Sequence, residues 1–174
     1  LIGLYSFVRG RYESALEYFL QVLRIATATR DTSALENALT NLGHVYGELK
    51  QHSRALQYYE RNLTIATARR DSGFMAESYN NIATILVERG EINHALEQYS
   101  KAKAIAARVA DNSTVALIVN NIGDLHFHRR QYADAMSNFL EARALYETLD
   151  DRRNLAVTLH NLGLVNREMG RYRD

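Results

Sequence analysis

Apolar residues recur along this chain at spacings of three and four, the period of helices that bury one face. In "SYNNIATILVERG", residues 78–90, the stripe is Tyr79, Ile82, Ile85 and Leu86. In "INHALEQYSKAKAIAARVA" it is Ile92, Ala95, Leu96, Tyr99, Ala102, Ala106 and Val109. The stripes come in pairs, and the pairs repeat with a period of forty residues. A small residue recurs as Gly3, Gly43, Ala83, Gly123 and Gly163, preceded by Ile2, Leu42, Ile82, Ile122 and Leu162. Twelve residues later stand Ala15, Ala55, Ala95 and Ala135, and four beyond those Phe19, Tyr59, Tyr99 and Phe139. Asp31, Asp71, Asp111 and Asp151 hold the same phase. Agreement of independent columns over four units predicts two antiparallel helices per unit. The units are approximately 1–31, 32–71, 72–111 and 112–151, with a partial unit at 152–174.

First helices are expected to end near Gly10, Lys50, Gly90, Arg130 and Gly170, three of them glycine, as a left-handed helix end prefers. Polar clusters such as "RDTSALE" and "ADNSTVAL" supply N-caps, and Ser33 with Glu36 has capping-box spacing. The small columns are expected where helices cross closely. Tyr46, Tyr59, Tyr79 and Tyr99 occupy core columns, so packing accounts for them. The partial unit would expose Leu159 and Leu162, so self-association through uncapped ends is expected, and the chain reads as a piece of a larger protein.

Composition sharpens this. Proline is absent, which suits helices joined by short turns. With 21 Lys and Arg against 20 Asp and Glu, the net charge of +1 offers no general attraction to nucleic acid or an anionic membrane. The absence of cysteine excludes disulfides and thiolate metal sites and fits a reducing, cytoplasmic compartment. No apolar run reaches the ~18 residues of a membrane span, and no signal peptide is recognisable.

"NLGHVYGELKQHSRALQYYERNL" resembles a tetratricopeptide repeat, with its Leu-Gly pair, Tyr46, Ala55 and Tyr59 in the expected order. The resemblance covers the whole chain as about four and a half units. It implies an all-α fold, a right-handed superhelical solenoid of antiparallel helix pairs, and a scaffold that binds a protein or peptide segment in its concave groove. The period is longer than the usual ~34 residues, and the usual proline is missing. The early tryptophan is replaced by Leu39, Tyr79, Val119 and Leu159. This longer variety is similar to repeats in kinesin light chains, Pins-type scaffolds and bacterial sensor and regulatory proteins. A regulatory domain acting in cis on an output domain is therefore the alternative.

In such a superhelix the first helices line the concave face. Counting along that face gives Asn37, Thr40 and His44, then Glu77, Asn80, Thr84 and Val87. It continues through Leu117, Asn120, Asp124, Phe127 and His128 to a last row containing His160 and Leu164. Asparagines at this place in related repeats contact bound peptide, and a carboxamide can pair with any peptide backbone. The resemblance thus implies a clamp at Asn80 and Asn120; the alternative is that both bond between helices. Asn41, Asn81, Asn121 and Asn161, about 100° further round, read as structural. Glu48, Glu77, Glu88, Asp124 and Glu168 outweigh Arg167 on this face, and no lysine lies on it. A neutral or basic partner fits that balance; solvated glutamates are the other account. The lysine or arginine set that holds a terminal carboxylate in chaperone-binding relatives is missing.

His126 and His128 stand about 200° apart on a helix and cannot share a metal ion. Arg69–Arg70, Arg129–Arg130 and Arg152–Arg153 do not form one stripe and read as solvated turn charges rather than a nucleic-acid surface. No phosphate loop, thiol nucleophile or motif-placed carboxylate pair is present, so no enzyme, cofactor or metal is expected.

Overall fold

The computed structural model describes residues 2–170, apart from the side chains of Ile2, Leu4 and Tyr5. Among these residues the chain forms nine helices and no strand. They are α1 (Ile2–Val8), α2 (Tyr12–Thr29), α3 (Thr32–Glu48), α4 (His52–Arg69), α5 (Ser72–Glu88), α6 (Ile92–Arg108), α7 (Asn112–His128), α8 (Tyr132–Thr148) and α9 (Arg152–Glu168). The column led by Ile2 therefore begins outside the described side chains. The stretch 171–174, the end of the partial unit, also lies outside the described residues.

The aspartate column begins the first helices. Asp31, Asp71, Asp111 and Asp151 accept hydrogen bonds from the backbone N–H of Ala34, Phe74, Thr114 and Asn154 at 3.0–3.2 Å. Each satisfies a donor that the first helical turn leaves unpaired. The expected capping box at Ser33 and Glu36 is not formed. Asp31 is the cap, Ser33 lies exposed inside α3, and Glu36 is fully buried against the Arg69 guanidinium. That ion pair also corrects the reading of Arg69 as a solvated turn charge. Burial holds the Glu36 carboxyl above its usual range, and Arg69 opposes the rise.

Each turn is completed by a residue at positive φ. Gly10, Lys50, Gly90, Arg130 and Gly170 end the first helices as expected. Arg30, Arg70, Ala110 and Asp150 take the same conformation between units. Non-glycine residues occupy six of these nine left-handed turns, so the fold tolerates a strain that glycine would relieve.

The core forms where the small column of a first helix meets the aromatic column of the second. A Cβ added to Gly43 would lie 2.3 Å from the Tyr59 ring, and one on Gly123 would lie 2.7 Å from Phe139. Ala83 packs similarly with Tyr99. In the stripe of α6, Ala95, Tyr99, Ala102 and Ala106 are buried while Ile92 and Leu96 are half-buried. Val109 departs from the expected stripe: α6 ends at Arg108, leaving it as an exposed C-cap. Tyr79 is half-buried, packed against the cluster of Ala83, Tyr99, Ala102 and Ile118, with the Lys101 ammonium over its ring.

Every helix packs on its sequence neighbours, and first helices also meet first helices, α3 with α5, α5 with α7 and α7 with α9. Second helices do not approach one another as closely. A two-layer array packed more tightly in one layer curves around that layer, which puts the first helices on the inner face.

Candidate functional site

The inner face is built on a polar ladder between successive first helices. Asn121 Nδ2 donates to Asn80 Oδ1 at 3.0 Å, joining α7 to α5. Asn80 in turn donates to Asn81 at 3.4 Å. Thr158 donates to Asn120 Oδ1 at 3.1 Å, and Asn161 Nδ2 reaches Asp124 Oδ1 at 3.5 Å, so the ladder continues into α9. His44 bonds to Asn81 from α3, although burial keeps its imidazole below the ordinary histidine range. A carboxamide serves here because it can accept from one helix while donating to another.

The two asparagines proposed from sequence as a clamp differ in what remains available. Asn80 is 6 % exposed, and its carbonyl and amide are both engaged within the ladder. Asn120 is half-buried; its Oδ1 is used by Thr158, and its Nδ2 donates to no residue described here.

Beside the ladder lie two adjoining cavities. One, of about 260 Å³ between α5 and α7, is lined by Thr84, Val87, Glu88, Tyr99, Asn121, Asp124, Leu125 and His128. The other, of about 210 Å³ between α7 and α9, is lined by Asp124, Phe127, His128, Phe139, His160, Asn161 and Leu164. Asp124 and His128 belong to both. Of the residues read from sequence as the concave face, the cavities gather Thr84, Val87, Glu88, Asp124, Phe127, His128, His160 and Leu164.

The others line neither cavity. Thr40 is buried and accepts from Asn62 Nδ2 at 3.0 Å; Asn37 is exposed, with its carbonyl bonded to Asn41. His44 meets Tyr59 edge to face, Glu77 is half-buried, and Leu117 is 44 % exposed. Sequence counting missed Asn121, Asn161, Tyr99, Leu125 and Phe139, which form the walls and floor. A helix-face count selects one strip of side chains, whereas a cavity between helices also takes residues from the flanks and from the layer behind.

Charge is distributed unevenly across the site. Glu88 is not a free carboxylate: Lys50, from the turn after α3, reaches it at 3.1 Å, and His52 lies 3.5 Å away. A lysine therefore does reach the edge of the acidic face. Glu168 is met by Arg167 at 3.3 Å. Asp124 forms no ion pair with lysine or arginine among the described residues. Burial raises its carboxyl above the usual range, and His128 draws it partly back. Glu77 is raised by burial as well. Thr84 and Tyr99 add two hydroxyls, 3.1 Å apart, to the first cavity.

Metal-binding groups and membrane-spanning helices are absent among the described residues. His126 turns to Gln131, 3.0 Å away, while His128 faces the cavities. No group of three or more His, Cys, Asp and Glu residues is placed to hold a metal ion. No helix is long and apolar enough to cross a membrane.

Comparison with known proteins places this geometry. No curated protein sequence matches the chain. Among solved structures, BtubC (BKLC) from P. vanneervenii superposes with a TM-score of 0.80 at 23 % identity, covering 98 % of this chain and 71 % of that one. The Rap conjugation gene regulator of the plasmid pLS20, in complex with the Phr* peptide, superposes at 0.86 with 19 % identity. That match covers 99 % of this chain and 48 % of the regulator, so the chain spans about half the regulator's length. A Podosopora anserina putative kinesin light chain, with nearly identical TPR-like repeats, gives 0.71 at 16 % identity, covering 97 % and 83 %. At these identities the likeness is one of fold. The family model described as tetratricopeptide repeat matches residues 1–68, 34–108, 74–147 and 114–174, the entire length between them, and the chain belongs to the tetratricopeptide repeat family.

Proposed function

We propose that the chain is a protein-interaction scaffold whose inner face captures a peptide or an extended segment of a partner protein. The observation that carries this reading is the pair of adjoining cavities along one face of α5, α7 and α9. Both are rimmed by side chains that can donate or accept hydrogen bonds and floored by apolar ones. The pLS20 Rap regulator holds a peptide on the same fold. The contacting set is drawn from the concave row between Asn37 and Leu164, centred on the members that line the cavities, with Thr40 held in the core behind it. Asn120 is its clamp, because its amide has a donor to spare, and Asn80 supports the clamp from within the ladder. Binding, with no reaction, at a cytoplasmic address is the whole of the proposed activity.

Peptide display against the intact chain tests this. Selected peptides should lose roughly 2- to 12-fold in affinity when Asn120 becomes alanine, the worth of about one net hydrogen bond. Enrichment no greater than that of scrambled sequences, or binding indifferent to every groove substitution, would remove the proposal.

A second reading draws on the same regulator, of which this chain spans 48 %. In it the solenoid belongs to a larger signalling protein and controls an output domain in cis. An output domain encoded beside these repeats would favour that reading; further repeats on both sides would favour the scaffold.

A further inference from the structure

The two cavities share Asp124, and what surrounds it specifies a ligand more closely than groove binding does. The α7–α9 cavity is apolar at its floor, where Phe127, Phe139 and Leu164 converge. Its volume of about 210 Å³ accommodates one large side chain. The α5–α7 cavity also has apolar walls, Val87 and Leu125, and adds oxygens to them: the carboxylates of Asp124 and Glu88, the hydroxyls of Thr84 and Tyr99, and the carboxamide of Asn121. Neither cavity is lined by a lysine or arginine. Glu88 is matched by Lys50, but Asp124 stands between the cavities without a lysine or arginine partner among the described residues, met by the long bond from Asn161 and by the nearby imidazole of His128. A half-buried carboxylate in that position attracts a cation from its ligand, since burial weakens its interaction with water and strengthens one with a neighbouring charge.

We infer that the groove recognises a partner segment carrying a large apolar residue and a lysine or arginine two positions apart. The apolar side chain occupies the α7–α9 cavity and the cationic head sits against Asp124 in the α5–α7 cavity. The spacing follows from extended backbone: side chains two apart point to the same side, roughly 6.6–6.8 Å from one another. That suits two cavities that share a wall. Nearest neighbours would point to opposite sides, and one of the two would face solvent. This inference rests on the groove reading above and adds the chemistry of its occupant.

The test uses fluorescence anisotropy with the intact chain and eight-residue peptides, capped at both ends, that carry Phe and Lys two residues apart in either order. One order should bind. Replacing its Lys by Met should weaken binding roughly 10- to 100-fold, the worth of a charge-assisted hydrogen bond. Asp124→Asn should cause a loss of the same size and make the Lys→Met change nearly silent. The peptide substitutions leave the protein untouched, so a folding defect cannot imitate them. If display-selected peptides bind the groove yet lack this pair, or if Asp124→Asn leaves their affinity unchanged, the inference falls and the groove reading stands. If no peptide binds, both fall together.

Discussion

The complete unit at residues 112–151 and the helix that follows it begin in the same way and are buried differently. Asp111 caps α7 and Asp151 caps α9 through the same bond, to the backbone three residues on. Further along, the two helices diverge. A Cβ on Gly123 would press on Phe139 at 2.7 Å, while one on Gly163 would meet nothing within 4 Å. Val119 is fully buried, while Leu159, in the same column, is 48 % exposed. The sequence columns are alike in both, so the difference comes from α8, which covers α7, whereas no described helix covers the matching face of α9. Helix starts in this fold are local, and core packing is supplied by the next helix along the chain.

The sharpest way to break that comparison is to remove the covering group. Phe139→Ala empties a fully buried position shared by Gly123, Leu162 and Val165, and should cost about 3–5 kcal/mol in urea unfolding. Leu159→Ala should cost less than about 1 kcal/mol, because its side chain is already half in water. Equal losses at the two sites would show that α9 is covered by something outside the described residues.

Next in size, glycine-to-alanine changes should carry opposite signs. Gly123→Ala drives a methyl into the Phe139 ring and should destabilise by about 1–3 kcal/mol, beyond any gain in helix propensity. Gly163→Ala meets open space in the interior of α9 and should stabilise by about 0.5–1 kcal/mol. Two losses would mean that the face of α9 is not free.

The same division explains what could be read from sequence. The forty-residue period, the paired helices, the aspartate column and the close helix crossings at the small columns were all legible, because each depends on residue type at fixed spacing. The capping box at Ser33 was misassigned because the helix starts two residues earlier, where Asp31 caps it through the Ala34 N–H. Glu36 was then free to be buried against Arg69, a partner 33 residues away that no local pattern announces. The site was legible as a face but not as a volume. Asp124, Phe127, His128 and Leu164 came from counting round a helix. Phe139 and Asn161 entered because a neighbouring helix brought them there. Asn80 illustrates the limit: its type suggested a hand held out to a ligand, and the partner that occupies it, Asn121, lies 41 residues on.

A last prediction tests the half of the comparison in which the two helices agree. Asp111→Ala should cost about 1 kcal/mol, the usual worth of an N-cap. The Asp111 carboxyl lies below its ordinary range, chiefly because the Thr114 hydroxyl donates to it at 2.6 Å and then because of the Thr114 N–H. A lowered folded-state value means that the cap contributes fully above the unfolded-state pKa of about 3.9 and loses its contribution as pH falls through the lowered value. The stability gap between the parent and Asp111→Ala should therefore be constant from neutral pH down to about 5 and close below 4. Subtracting the variant removes the opposing effect of Glu36, Glu77 and Asp124, whose raised values make protonation stabilising over the range where those groups titrate. Asp151 is lowered by the same kind of donors, the Asn154 N–H and side-chain amide. Its alanine variant should lose its gap over the same acidic range, although no described helix covers the matching face of the helix it starts. A cap on α9 that behaved differently from the cap on α7 would mean that burial reaches back to the helix start, and that the start is not local after all.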